Sequence, residues 1–188
     1  MALSKVDGTN FIDPTIPVAS GGIGSTSLAG AGIATTNGIT TASQWRLTTT
    51  FTGDANPIAS NLAENTLDGG GVLGSSMTES SGIFTFPSTG YWLIIFDVQV
   101  SGDDSNYHSS DIQTTTDNSA YSQAAQCELH LRAGATFYAH SSCRFIFDVT
   151  STTLCKVQFT VDAHDSDSTL GSSSRLNTGM TFIRLGDT

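Results

Sequence analysis

The chain has few basic residues. Its 188 residues include seven Lys and Arg against 17 Asp and Glu, which gives a formal net charge of −10. Lys occurs at Lys5 and Lys156 alone, and the arginines stand singly along the sequence. Proteins that bind nucleic acid or an anionic membrane surface need clustered Lys and Arg to neutralise phosphate charge. The sequence therefore predicts no nucleic-acid partner and no binding to an anionic membrane.

Long apolar runs and paired cysteines are also missing. The longest apolar run, 91–96, is too short to span a bilayer, and the first residues lack the apolar region of a signal peptide. We therefore expect a protein that folds in a cytoplasm without membrane insertion. The three cysteines, Cys127, Cys143 and Cys155, are an odd number with no Cys-x-x-Cys spacing. This spacing favours reduced, mostly buried thiols and offers no paired zinc ligands.

The composition and the residue pattern of the chain favour β-structure. Charged residues make up 13% of the chain, about half the usual share of roughly 25%, and Ser and Thr supply much of the remaining polarity. From residue 40 onward, apolar and polar residues alternate, as in Trp45 to Phe51 and Cys155 to Ala163. About eight strands with irregular loops predict an all-β, two-sheet jelly roll. The polar stretch 101–126 is predicted to be an extended loop, with at most a short strand near Tyr121.

One predicted strand, Tyr91 to Val100, is apolar on both faces at its start. One face is apolar throughout: Trp92, Ile94, Phe96, Val98 and Val100. The other face carries Tyr91, Leu93 and Ile95 and becomes polar only afterwards. A strand buried on one face alternates strictly, so the second face needs a cover. A further sheet, a loop or a neighbouring subunit would provide it.

Residues 1–39 differ in composition from residues 40–188. Isolated apolar residues stand among glycines in this segment, so it cannot build a core of its own. It either orders against another surface or acts as a flexible Gly/Ser linker. The regular recurrence of its apolar residues favours ordering against a partner, and the predicted contact residues are Val18, Ile23, Leu28 and Ile33.

Motifs that carry chemistry are sparse. The chain has Ser, His and Asp but no Gly-x-Ser-x-Gly motif, so we expect a protein that is not an enzyme and needs no cofactor. Acidic clusters at Asp162–Asp167 and at Asp103–Asp104 offer oxygen ligands that calcium prefers, but a solvated loop is the favoured explanation of both, and no metal is predicted. Among the aromatic residues, Tyr107, Tyr121 and Tyr138 are the candidates for an exposed ligand surface.

Two stretches of the head resemble a known domain. Residues 82–100, GIFTFPSTGYWLIIFDVQV, resemble the core of complement C1q/TNF-like domains, where an aromatic strand, a Pro/Gly turn and a Gly-x-Tyr-x-Phe pattern follow one another. Gly90, Trp92 and Ile94 occupy the positions of that pattern. Residues 178–186, TGMTFIRLG, are similar to the closing strand of the same domains. The resemblance implies a jelly roll of about ten strands that assembles as a compact homotrimer, with Tyr91, Leu93 and Ile95 near the threefold axis.

The N-terminal segment has a resemblance of its own. Residues 17–28, PVASGGIGSTSL, resemble a Gly-Gly-x-Gly-(Ala/Ser)-Thr-Ser-Leu motif of tailed-phage fibres, with Ile23 where Thr is frequent. This implies a structural virion protein, assembled in the host cytoplasm, whose arm docks on other virion proteins. Its trimeric head would act as a short fibre or tip that binds a host-surface receptor, or as a capsid decoration protein. The alternative is a C1q/TNF-type ligand- or carbohydrate-binding module outside a virion.

Overall fold

Two antiparallel β-sheets pack face to face in this protein. The computed structural model describes residues 38–102, 107–130, 136–163 and 167–188. The arm residues Val18, Ile23, Leu28 and Ile33 lie outside this range, so their docking role stays a prediction. The strands of the described part, in chain order, are β1 (Ala42–Leu47), β2 (Phe51–Thr52), β3 (Leu62–Glu64), β4 (Thr78–Ser80), β5 (Ile83–Thr85), β6 (Gly90–Gly102), β7 (Tyr107–Thr115), β8 (Ser122–His130), β9 (Phe137–Val149), β10 (Lys156–Ala163), β11 (Ser168–Thr169) and β12 (Gly179–Gly186).

Sheet I is built around β6. All 13 residues of β6 pair with β9 along one edge, and its other edge pairs with β12 and then with β11. Strands β1 and β3 continue the sheet beyond β12, and β2 continues it beyond β11. Sheet II has the order β4-β5-β10-β7-β8. The prediction of an all-β, two-sheet jelly roll is confirmed.

The core lies between the two sheets and is rich in aromatic residues. The ring of Phe84 lies 5.3 Å from that of Trp45, 5.5 Å from that of Phe159 and 5.2 Å from that of Phe182, measured between centroids. Each such aromatic pair contributes about 0.5–1.5 kcal/mol beyond the area that it buries. The inward residues of β6, which the alternation placed on one face, are all fully buried: Trp92, Ile94, Phe96, Val98 and Val100.

The turn before β6 depends on a glycine. Gly90 has a φ of +134°, and a Cβ atom there would lie 2.3 Å from the backbone oxygen of Gly186. An L side chain is therefore excluded both by the backbone conformation and by the neighbouring strand. This agrees with the sequence prediction of a tight turn that ends at Gly90.

The prediction of a loop at 101–126 is wrong. Tyr107–Thr115 form β7 and Ser122–His130 form the strand beside it. Two inward positions of β7 are occupied by the polar residues His108 and Ser110, which are fully buried. Because these residues are not apolar, the alternation that marks the other strands does not appear.

The count of about eight strands was too low for a similar reason. Strands β2, β3, β4 and β11 are two or three residues long, which is too short for an alternating pattern to show. The predicted run from Trp45 to Phe51 is interrupted after Leu47, where β1 ends. Conversely, residues 137–139 and 145–149, whose apolar patterns predict two separate strands, belong to the single strand β9, Phe137–Val149.

Both termini of the described head lie at one end of sheet I. Strand β1 begins at Ala42, which pairs with Ile183, and Ile183 pairs in turn with Leu93 near the start of β6. Gly186, at the end of β12, pairs with Tyr91. We call this the terminal end of the head. The end where β6 passes into β7 is the distal end. In the part of the chain that the structure describes, no helix has the length and apolarity to cross a bilayer.

Candidate assembly face and polar pocket

The outer face of sheet I is apolar at the terminal end. Pairing across four strands places Ala42, Ile183, Leu93 and Ile146 in one row. Ile146 is 57% exposed, and Leu93 and Ile183 are half-buried. Apolar side chains that adjoin one another on an exposed sheet face form the kind of patch that marks a contact surface.

Tyr91 and Ile95 extend this patch by one row on either side of Leu93. Tyr91 is 43% exposed, and Ile95 is half-buried beside Thr181 and Arg144. The structure therefore brings the three predicted residues together on one exposed face. We call the set the assembly face and define it by six residues: Ala42, Tyr91, Leu93, Ile95, Ile146 and Ile183.

Sequence reasoning missed the other three residues of the face: Ala42, Ile146 and Ile183. Ile146 lies between Phe145 and Phe147, and the apolar run hides which of its members faces outward. The signal that finds it is register: Phe147 pairs with the buried Trp92, so Ile146 must lie on the opposite face with Leu93.

The same face of sheet I becomes polar toward the distal end. Asp97 pairs with Ser142 and Gln99 with His140, while Tyr138 farther along is 72% exposed. The His140 Nε2 atom lies 3.9 Å from the Asp97 Oδ1 atom. The polar half is compatible with contact with water, which leaves the terminal half as the part that needs a cover.

A polar pocket of about 290 Å³ opens on the outer face of sheet II. Register places Ser109 between Glu128 and Asp162, and Asp111 between Gln126 and Thr160. The described residues that line it are Asp54, Asn56, Tyr107, Ser109, Asp111, Gln113, Gln126, Thr160, Val161 and Asp162. The described lining contains three carboxylates and no Lys, Arg or His. Of the three exposed tyrosines named from the sequence, Tyr107 belongs to this pocket.

Hydrogen bonds hold the side chains of the pocket floor. Thr160 Oγ1 donates to Asp111 Oδ2 over 3.3 Å, and Gln158 Nε2 donates to Gln113 Oε1 over 2.8 Å. Burial raises the pKa of Asp111 above its ordinary value. The charges of Asp162 and Glu128 act in the same direction, while the bond from Thr160 opposes them.

His108 and Asp167 are fully buried at the distal end, near Gly102. Neither ring nitrogen of His108 and neither carboxylate oxygen of Asp167 has a hydrogen-bond partner among the described residues. Burial lowers the pKa of His108, and the charges of Asp167, Asp162 and Asp54 partly offset the effect.

The two predicted calcium clusters lie only partly within the described residues. Asp103 and Asp104 lie outside the described residues, as do residues 164–166 of the second cluster. Among the described residues, no group of three His, Cys, Asp or Glu side chains is placed to hold a metal ion.

The three cysteines are free thiols, with Cys143 and Cys155 buried and Cys127 half-buried. Cys143 Sγ donates to the backbone oxygen of Ser110 over 3.0 Å. Burial raises the pKa of the Cys143 thiol to about 12, so it is not a reactive thiolate at neutral pH.

Comparison with known proteins shows the fold. No protein-family model matches the chain, and no curated protein matches it in sequence. Among solved structures, Eiger TNF from S. frugiperda is similar with a TM-score of 0.55 and 14% identity, over 78% of this chain and 93% of that chain. Murine APRIL at pH 5.0 is similar with a TM-score of 0.57 and 11% identity, over 77% of this chain and 98% of that chain. The head therefore has a TNF-like jelly-roll fold.

Proposed function

We propose that the head is a non-enzymatic homotrimer that assembles through the assembly face. The observation that carries this proposal is the row of apolar side chains on the outer face of sheet I, in which Ile146 and the adjoining Tyr91 are exposed. Burying such side chains is the main favourable term in subunit association. A second copy is the natural cover, because the C1q/TNF-like resemblance implies threefold packing through Tyr91, Leu93 and Ile95.

The charge distribution supports a self-association of this kind. Copies with a net charge of −10 repel one another, so the contact must be apolar at its centre. Arg144 and Asp148 flank Ile146 on β9 and carry opposite charges. In a threefold arrangement, the cation of one copy can meet an anion of the next copy at the margin.

Light scattering tests the oligomeric state directly. We expect a mass of three times the 19.6 kDa protomer. A monomeric mass, or full solubility of an isolated folded subunit, would contradict the trimer.

We further propose that the trimer is a projecting part of a phage virion, held by the N-terminal segment. The support is the resemblance of residues 17–28 to tailed-phage fibre motifs, together with the four apolar arm residues proposed for docking: Val18, Ile23, Leu28 and Ile33. In the head, β1 begins at the terminal end, and we propose that the distal end contacts the host surface.

Labelled virus particles provide the test of this location. Negative-stain images of particles labelled for this protein should show it on the tail tip or on the capsid. Blocking of adsorption by the purified protein supports a tip that binds a receptor. Loss of capsid stability after its removal supports a decoration protein instead, and absence of label from particles contradicts both.

The second candidate is a C1q/TNF-type ligand- or carbohydrate-binding module outside a virion. The polar pocket on sheet II favours it, since a structural subunit does not need a recess lined with carboxylates. If this candidate is right, the protein binds a ligand and is absent from purified virus particles.

A further inference from the structure

The polar pocket is built by one protomer alone. Its floor comes from β7 and β10, and Asp54 and Asn56 close one side through the bridge between Ala55 and Val161. The assembly face lies on the other sheet, so the pocket is complete without a partner subunit. An inference about it therefore does not depend on the proposed trimer, and it rests on the second candidate function, whose ligand class it specifies.

The shape of the pocket follows from the sizes of its side chains. Ser109 is a short residue between the longer side chains of Asp162 and Glu128 on the neighbouring strands. Asp54 and Asp162 are exposed at the rim, whereas Ser109 and Thr160 are 2% and 5% exposed. The result is a recess with hydroxyl groups on its floor and carboxylates around its opening.

The Ser109 hydroxyl is the observation that points to a ligand. Its side chain has no hydrogen bond to any described residue, although it is almost completely buried and lies on the strand face that lines the pocket. A serine hydroxyl can donate one hydrogen bond and accept two, and this one lies on the face that lines the recess. A ligand hydroxyl or amine in the recess would provide the missing partner.

The lining restricts the chemistry of that ligand. Three carboxylates repel anions, and the described lining holds no cation to compensate them. A metal ion alone is not favoured, because no three acidic or His side chains converge among the described residues. The lining offers amide, hydroxyl and carboxylate groups in place of the mainly apolar wall typical of drug-like sites. A ligand with many hydrogen-bond donors and no negative charge fits these constraints.

We propose that this pocket binds one ring of a neutral or amino sugar. Its volume of about 290 Å³ suits a single hydrophilic ring. Asp54 and Asp162 accept hydrogen bonds from neighbouring hydroxyls or from an ammonium group, and such bonds to charged acceptors are the stronger kind. Ser109 and Thr160 contact the ring from below. Tyr107 lines the same recess and supplies an aromatic wall.

Ligand-observed NMR on the full chain tests the proposal with three matched sugar sets. The first set is glucose, galactose and mannose, the second is glucosamine and galactosamine, and the third is glucuronate and galacturonate. We expect saturable binding that decreases from the amino sugars to the neutral sugars and is absent for the uronates. The order follows from the three carboxylates, since the ring size is the same throughout.

Two variants and one control locate the binding. Ser109→Ala removes a hydroxyl that has no protein partner, so it should leave the melting temperature unchanged or raised while it weakens sugar binding about tenfold. Asp162→Asn removes a rim charge and should weaken the amino sugars about tenfold. Asp68→Asn makes the same chemical change at an exposed site outside the pocket, where the φ of 49° also suits Asn.

Each outcome of these experiments either supports or contradicts the sugar site. The proposal is supported if the amino sugars bind, if both pocket variants weaken them and if the control does not. It fails if no sugar of the panel binds, if uronates bind as well as amino sugars, or if Ser109→Ala binds like the wild type. Stabilisation by calcium chloride without any sugar effect would also overturn it, in favour of a cation site.

Discussion

Replacing Ile146 by Asp should dissociate the trimer without unfolding the protomer. Ile146 is the most exposed residue of the assembly face, at 57%, so a charge there is hydrated in the monomer. In the trimer the same charge would lose its water next to Leu93, the residue of β6 with which Ile146 pairs. The substitution therefore acts on assembly and hardly on folding.

The magnitude follows from the exposed area. Complete burial of an isoleucine side chain contributes about 1.5–3 kcal/mol, so covering the exposed part of Ile146 contributes about 1–1.5 kcal/mol per protomer. Three copies lose about 3–5 kcal/mol per trimer, a factor of about 100 to several thousand in the association constant. Two further copies must join each copy, so the fraction of trimer depends on the square of the protein concentration. A loss of about 100-fold or more in the association constant should therefore raise the midpoint concentration by at least about tenfold. Desolvation of the three carboxylates adds to this shift.

Sedimentation velocity over a dilution series measures the midpoint, and thermal melting reports on the fold. Leu154→Asp is the matched control, since Leu154 is 46% exposed in the turn between β9 and β10 and is not one of the six residues of the assembly face. The reasoning is refuted if Ile146→Asp assembles at the same concentration as the wild type, or if Leu154→Asp dissociates the trimer equally.

Three further predictions concern the core. Stability should fall as the pH drops below about 6.5. Burial lowers the pKa of His108, so the unfolded chain takes up a proton that the folded chain does not. A His108→Leu variant whose melting temperature has the same pH profile as the wild type would contradict this. Phe84→Ala should cost about 3–5 kcal/mol in urea unfolding, whereas Tyr138→Ala, at an exposed site, should change stability by less than about 0.5 kcal/mol. Cys143 and Cys155 should react with a thiol reagent only after unfolding, so rapid labelling of either in the native protein would show that the core opens.

The strands that sequence reasoning located are those whose inward residues are apolar. From Trp92 to Val100 in β6 and throughout β10, every inward position is Trp, Phe, Ile, Val or Ala, and the period-2 pattern is plain. Strand β7 was missed because its inward residues His108 and Ser110 are polar. The Ser110 hydroxyl lies 2.9 Å from that of Ser141 across the sandwich, and such a pairing between distant strands leaves no trace in local hydropathy.

The assembly face and the pocket differ in how much of each the sequence predicts. The first half of the assembly face is visible in β6 itself, because Tyr91, Leu93 and Ile95 break the expected alternation. The pocket is assembled from separate segments between Asp54 and Asp162. Its Ser, Thr and Asp residues resemble loop residues when taken singly, and only strand register brings them to one surface.

The position of both termini at one end of the head has a mechanical consequence. The pocket lies toward the distal end, since Ser109 adjoins Ser110, whose hydroxyl contacts Ser141 opposite Val98. From Leu93 to this level is about 17 Å along β6. A pull between a bound ligand and the start of β1 would therefore run parallel to the strands. The hydrogen bonds between β1 and β12 lie across that direction, so they would be loaded together in shear and would not open one after another.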